Sequence, residues 1–130
     1  MNEADAFDFT LPVFNSGQLE ALRALTEDDD GGVLAGIVQQ FKDDAVLLFE
    51  NLEDAIRKGD FARITDVAHT IKGSGATFGM IRLGALALRM EIAAKNRDAS
   101  EVARLHLPVR QAYTAALPEL EKALKSGNRS

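Results

Sequence analysis

The sequence has no cysteine, which removes disulfides, thiolate catalysis and cysteine-ligated zinc and agrees with a reducing compartment. It also lacks any apolar run of about eighteen residues, so no membrane-spanning helix is expected. Its opening residues, MNEADAF, are acidic where an export signal would be basic and then apolar, which points to the cytoplasm. Positive charge is in deficit: 15 Lys and Arg stand against 20 Asp and Glu, and the net charge of −5 argues against a nucleic-acid partner. Phosphate-binding loops are missing as well. In KGSGATFG the glycines Gly73, Gly75 and Gly79 fail G-x-G-x-x-G because Phe78 holds the third position, and no G-x-x-x-x-G-K-[ST] occurs. No G-x-S-x-G nucleophile elbow is present. The two histidines are His69 and His106, and Asp66 with His69 forms only a D-x-x-H pair, so no metal site and no cofactor are expected.

What remains is helical. A chain of 130 residues, 46% hydrophobic, suits one domain with its own core. Residues 1–15 form a lead-in whose Phe7, Phe9, Leu11 and Phe14 are placed to drape over that core, and Ser16 is positioned to cap a short helix, GQLEALRALTE. After the acidic DDDGG comes a long amphipathic segment carrying Leu34, Ile37, Val38, Phe41, Ala45, Leu48, Leu52 and Ile56, closed by Gly59. Asp60 is placed to cap the next helix, which runs to about Phe78. A fourth follows over Ile81 to Lys95. The fifth, from about Ala99 to Lys125, opens with an Asp98/Glu101 capping box and carries Val102, Leu105, Val109, Ala116, Leu120 and Leu124. Pro108 and Pro118 are expected to kink or interrupt it, with His106 a surface or half-buried residue near that break. Short connections predict antiparallel neighbours, hence an all-α, up-down four-helix bundle with an additional short N-terminal helix. The organisation expected is lead-in 1–15, bundle 16–126 and tail 127–130.

The stretch AHTIKGSGATFGM, from Ala68 to Met80, poses a question of cost, because interior glycines destabilise a helix by roughly 1 kcal/mol each relative to alanine. At about 100° per residue, Phe61, Ile64, Ala68, Ile71, Gly75 and Phe78 fall on one buried side, and His69 points largely outward. Gly75 then admits a neighbouring helix, and Gly79 suits a left-handed helix end. Gly73 has no such duty. It shares the His69 face with Ala62, Thr65, Asp66, Lys72 and Ala76, mostly small residues, as a surface would if another molecule had to approach the imidazole.

Chain reversal near residues 79 to 80 sets positions that sum to about 160 level on adjacent antiparallel helices, by the 1.5 Å rise per residue. His69 therefore faces Glu91, whose own face carries Gly84, Ala87, Ala94 and Lys95; of these Gly84, Ala87 and Lys95 are expected to meet a partner together with Ala62, Thr65, Asp66, Gly73 and Ala76. A carboxylate beside an imidazole accepts Nδ1–H, fixes the tautomer and leaves the Nε2 lone pair outward. Pairing with Lys95 at i+4 is the competing role for Glu91. Lys72, one turn from His69, supplies an ammonium for oxyanions held near Nε2. These residues describe a neutral, nucleophilic histidine on an uncluttered platform.

The same residues, His69, Lys72, Gly73, Ser74, Gly75, Ala76 and Gly79 in AHTIKGSGATFG, resemble the H-x-x-K-G signature of histidine-containing phosphotransfer (HPt) domains. The preceding KGDFARITDVAH is similar to that family's approach to its histidine, and the resemblance spans roughly residues 14 to 125. It implies a bundle that carries a phosphoryl group on His69 between receiver-domain aspartates, or from a sensor or hybrid histidine kinase to the receiver domain of a response regulator. The family position that orients the histidine falls on Glu91. Magnesium would belong to the receiver. With no ATP-binding motif, the chain is expected to be a carrier and not an enzyme. A monomer is expected, with residues 1–15 offering the surface on which a dimer would form. The rival reading is a docking module that binds a receiver or kinase through the same face without carrying phosphate, for which His69, Lys72 and Gly73 together would be unnecessary.

Overall fold

The computed structural model describes residues 9–26 and 32–126. All the regular structure bounded within them is helical: α1 Gly17–Thr26, α2 Gly32–Lys58, α3 Phe61–Thr77, α4 Ile81–Lys95 and α5 Ala99–Ser126. Connections of two or three residues join α2 to α5 in succession, so each helix turns back against its predecessor. Around the ring, α2 packs on α3, α3 on α4, α4 on α5, and α5 closes against α2. The four long helices form the bundle, and α1 lies across α2, α3 and α5.

Sequence chemistry sets the boundaries. Asp60 Oδ1 accepts the Arg63 N–H at 3.1 Å to start α3, and Gly59 (φ 66°) ends α2 in the left-handed region. Asp98 Oδ1 likewise accepts the Glu101 N–H at 3.1 Å. The reciprocal half of a capping box does not form there, because Asp98 N–H donates to Ala93 O at 2.9 Å and the Glu101 carboxylate turns to Arg104. At the start of α1 the side chain that takes a backbone N–H is Asn15, whose Oδ1 accepts from Gly17 at 2.7 Å, one position before the expected Ser16.

The core stripe of α2 differs from the expected one in detail. Ile37 is exposed, Leu48 and Ile56 are partly buried, and Phe49 and Ala55 take the buried positions. Phe49 is drawn in by an aromatic cluster: Tyr113 lies 5.3 Å from it, and Phe41 stacks on Phe78 at 4.3 Å. Helix α5 is continuous through Pro108 and Pro118, so of the kink or interruption expected of them the interruption does not occur. Pro118 and Thr114, the residue whose carbonyl loses its helical donor, are both exposed, where such a loss costs least. The buried series Leu105, Val109, Ala112, Ala116, Leu120 holds the helix to its neighbours throughout.

From Phe9 onward the lead-in is part of the packed body. Phe9, Val13 and Phe14 rest against the core, and Arg82 binds Leu11 O through Nε at 2.7 Å and Pro12 O through its backbone N–H at 3.1 Å. Asn15 N–H donates to Gly79 O at 2.8 Å. This strap fixes the turn between α3 and α4, the two helices that carry the site. Phe7, expected to join it, lies outside the described residues.

Candidate functional site

Helices α3 and α4 approach closely because small residues face one another. A side chain at Gly75 would meet the backbone N of Gly84 at 3.2 Å and Met80 O at 3.3 Å. At Gly79 (φ 76°) a Cβ would fall 2.1 Å from Asn15 O, so glycine is required there for both backbone conformation and space. A methyl group at Gly73 would meet nothing within 4 Å, and this glycine lies on the exposed face one turn from His69.

This approach brings His69 to Glu91. Nδ1 and Oε2 stand 2.9 Å apart, with the imidazole side chain 65% exposed and the carboxylate side chain 6% exposed. The ionised carboxylate is an acceptor only, so the bond places a proton on Nδ1, and in the neutral ring the lone pair is then on Nε2. Lys72 donates to the other oxygen, Oε1, at 2.8 Å, and Lys95 Nζ stands 3.5 Å from Oε2. The Lys72 hydrogen bond is the largest influence on the Glu91 carboxyl; burial opposes it and His69 adds to it, so the pKa falls from 4.5 to about 2. Glu91 therefore remains an anion in a buried position and can hold the imidazole proton.

The expected residues fall into three places. His69, Lys72, Glu91 and Lys95 converge on one carboxylate. Ala62, Asp66, Gly73 and Ala76 lie exposed along α3, with Thr65 half-buried among them and its hydroxyl donating to Phe61 O at 2.8 Å. On α4, Gly84 is half-buried against Lys72 O, whereas Ala87 is wholly buried. Ala87 thus belongs to the core and offers a partner nothing: α4 is covered by both α3 and α5, and position 87 turns inward between them. His106 is half-buried, with Nε2 3.9 Å from Glu53 Oε1.

Two features escaped sequence reasoning. One is the Lys72–Glu91 bond, which the register argument that paired His69 with Glu91 would have found, since residues 72 and 91 lie within one helical turn of level. The other is an open groove of about 440 Å3 beside Lys72, between the start of α1 and the α3–α4 turn, floored by Gly75, Gly79 and Gly84 and walled by Ile81, Ala85 and Leu88. Leu88, 42% exposed, is its apolar rim. Among the described residues no group of His, Asp and Glu is arranged to hold a metal ion.

The family model for the Hpt domain matches residues 36–127, well over half of the chain. The chain belongs to the Hpt domain family. Hpt domains are phosphocarriers, not kinases, and act in phosphorelays with receiver domains and histidine kinases. Among solved structures, the histidine-containing phosphotransfer protein MtHPt2 from Medicago truncatula aligns with a TM-score of 0.70 over 97% of this chain and 90% of its own, at 22% identity, a likeness of fold. No curated protein matches the sequence. Family and fold together support a phosphotransfer role in a phosphorelay for this Hpt domain, and no described helix is long and apolar enough to cross a membrane.

Proposed function

We propose that this Hpt domain carries a phosphoryl group on His69 Nε2 within a cytoplasmic two-component relay. The group arrives from a receiver-domain aspartate or a kinase and leaves to the aspartate of a response regulator. The observation that carries this reading is the 2.9 Å contact between buried Glu91 and the Nδ1 of an exposed imidazole. The Nε2 lone pair attacks phosphorus in line with the departing oxygen, the N–P bond forms, and the aspartyl carboxylate leaves as the P–O bond breaks. The ring gains positive charge in that step. Glu91 stabilises it while retaining the Nδ1 proton, and in the reverse direction the same imidazolium is a good leaving group. Lys72 keeps Glu91 ionised and adds positive charge near the incoming oxyanions. The small residues Ala62, Gly73 and Ala76 let the receiver's backbone come near the ring, and the groove rimmed by Leu88 extends that surface.

The reading is tested by incubating the protein with a phosphorylated receiver domain and magnesium and measuring intact mass and acid lability. An acid-labile phosphoryl adduct on the wild type and none on His69→Gln is expected. Binding without an adduct, across several receivers, would transfer support to a docking module, in which the Glu91–His69 contact has no use.

A further inference from the structure

Two ammonium groups face the Glu91 carboxylate, and they are held differently. Lys72 Nζ lies 2.8 Å from Oε1 on a side chain 31% exposed. Lys95 Nζ lies 3.5 Å from Oε2, the oxygen that also takes the His69 proton, on a side chain 62% exposed. Neutralising the buried carboxylate is the work of Lys72 and His69, which hydrogen-bond its two oxygens at 2.8 and 2.9 Å. Lys95 is thus kept beside the imidazole by a long, solvent-exposed contact of the kind that contributes little and costs little to release. Its four-carbon stem is flexible and its charge compact. A phosphoryl group on Nε2 adds nearly two negative charges and three strong acceptors to the same imidazole.

We propose that Lys95 is a phosphoryl-contacting residue, which leaves Glu91 Oε2 and pairs with the phosphoryl oxygens once His69 is modified, while Lys72 stays on Oε1. This rests on phosphoryl acceptance by His69. The division of labour is physical: a lysine bound at 2.8 Å to a buried anion cannot leave without stranding it, whereas one at 3.5 Å from an already neutralised anion can.

Phosphoramidate can load the histidine without any partner protein. Nε2 forms a bond to phosphorus, the phosphoramidate P–N bond breaks, ammonia departs, and the Nδ1 proton stays on the ring against Glu91. The acid constant of the resulting phosphoryl group is then read from its 31P shift against pH in the wild type, Lys95→Ala, Lys95→Arg and Lys72→Ala. Loss of a cation pairing with the dianion should lower that acid constant roughly five-fold in Lys95→Ala, the scale of one exposed charge pair. Lys95→Arg should restore it. In the unmodified protein, 15N shifts of the His69 ring should be unchanged by Lys95→Ala, which separates phosphoryl contact from ring positioning. Equal acid constants in wild type and Lys95→Ala, or a decrease confined to Lys72→Ala, would overturn the proposal. A wild type that takes no phosphoryl from phosphoramidate would overturn it together with the carrier reading, whereas a loaded wild type indifferent to Lys95 would remove this inference alone.

Discussion

Glu91 is the one charged side chain buried among the described residues, and it tolerates burial because Lys72 and His69 hydrogen-bond its two oxygens. The arrangement makes opposite predictions for its neighbours. His69→Gln removes an exposed ring and leaves both lysines in place, so stability should change by less than about 1 kcal/mol in denaturant unfolding. Lys72→Ala leaves a buried anion short of its nearest partner and should cost about 1–3 kcal/mol. If the two variants were equally stable, Lys72 would not be supporting Glu91. The pH dependence has a definite sign. The folded carboxyl titrates at about 2 against an ordinary 4.5, so its stabilisation is complete above pH 4.5 and disappears as pH falls toward 2. Glu91→Gln has no such group to lose, and wild type and variant should converge in stability across that window. Asp54 and Glu121 also have lowered pKa values, but they are common to both proteins and cancel in the comparison. Parallel curves would place Glu91 outside the network described.

Helix α3 and the turn that follows it contain glycines with opposite duties, and their substitutions separate them. Gly73→Ala adds a methyl to open space in a helix and should stabilise by up to about 1 kcal/mol. Gly79→Ala forces a side chain onto a left-handed backbone 2.1 Å from Asn15 O. It should destabilise by more than the roughly 1–2 kcal/mol of the backbone effect and release the strap. Amide exchange at Asn15 and Arg82, whose N–H groups bind across that strap, would report the release. Unchanged exchange there would mean that the strap does not depend on this turn. Much of this was legible in the sequence: the outward His69, the inward Gly75 and the level of Glu91 all follow from the helical period and one short turn. Ala87 was misread because a wheel around Glu91 alone does not include the covering by α5. The strap was not legible, since Asn15 and Gly79 meet through backbone groups that carry no side-chain pattern. The prolines do not interrupt α5, where Thr114, whose carbonyl loses its donor to Pro118, is exposed and the apolar stripe is unbroken.

For the whole molecule, the bundle holds one exposed imidazole at a fixed register and leaves small residues around it. Lys42 joined to Glu121 at 2.7 Å, and Arg23 donating to Ala123 O at 3.3 Å, hold α2 and α1 to the far part of α5. Those ties lie outside the His69 cluster, so partner docking and fold stability should separate. Gly73→Gln should weaken receiver binding in titration calorimetry at least about ten-fold, roughly 1.4 kcal/mol, with thermal stability nearly intact. Its long side chain would occupy the approach to the ring but no core space. Undiminished affinity would show that receivers do not use this face.

The central claim is that Glu91 holds the His69 proton on Nδ1 so that Nε2 is the nucleophile, and long-range 15N–1H correlation of the imidazole before and after phosphorylation tests it most directly. The expected result is a neutral ring with Nδ1 protonated, followed by a phosphoryl group bonded to Nε2. A ring protonated on Nε2 in the resting protein, or a phosphoryl group bonded to Nδ1, would contradict it.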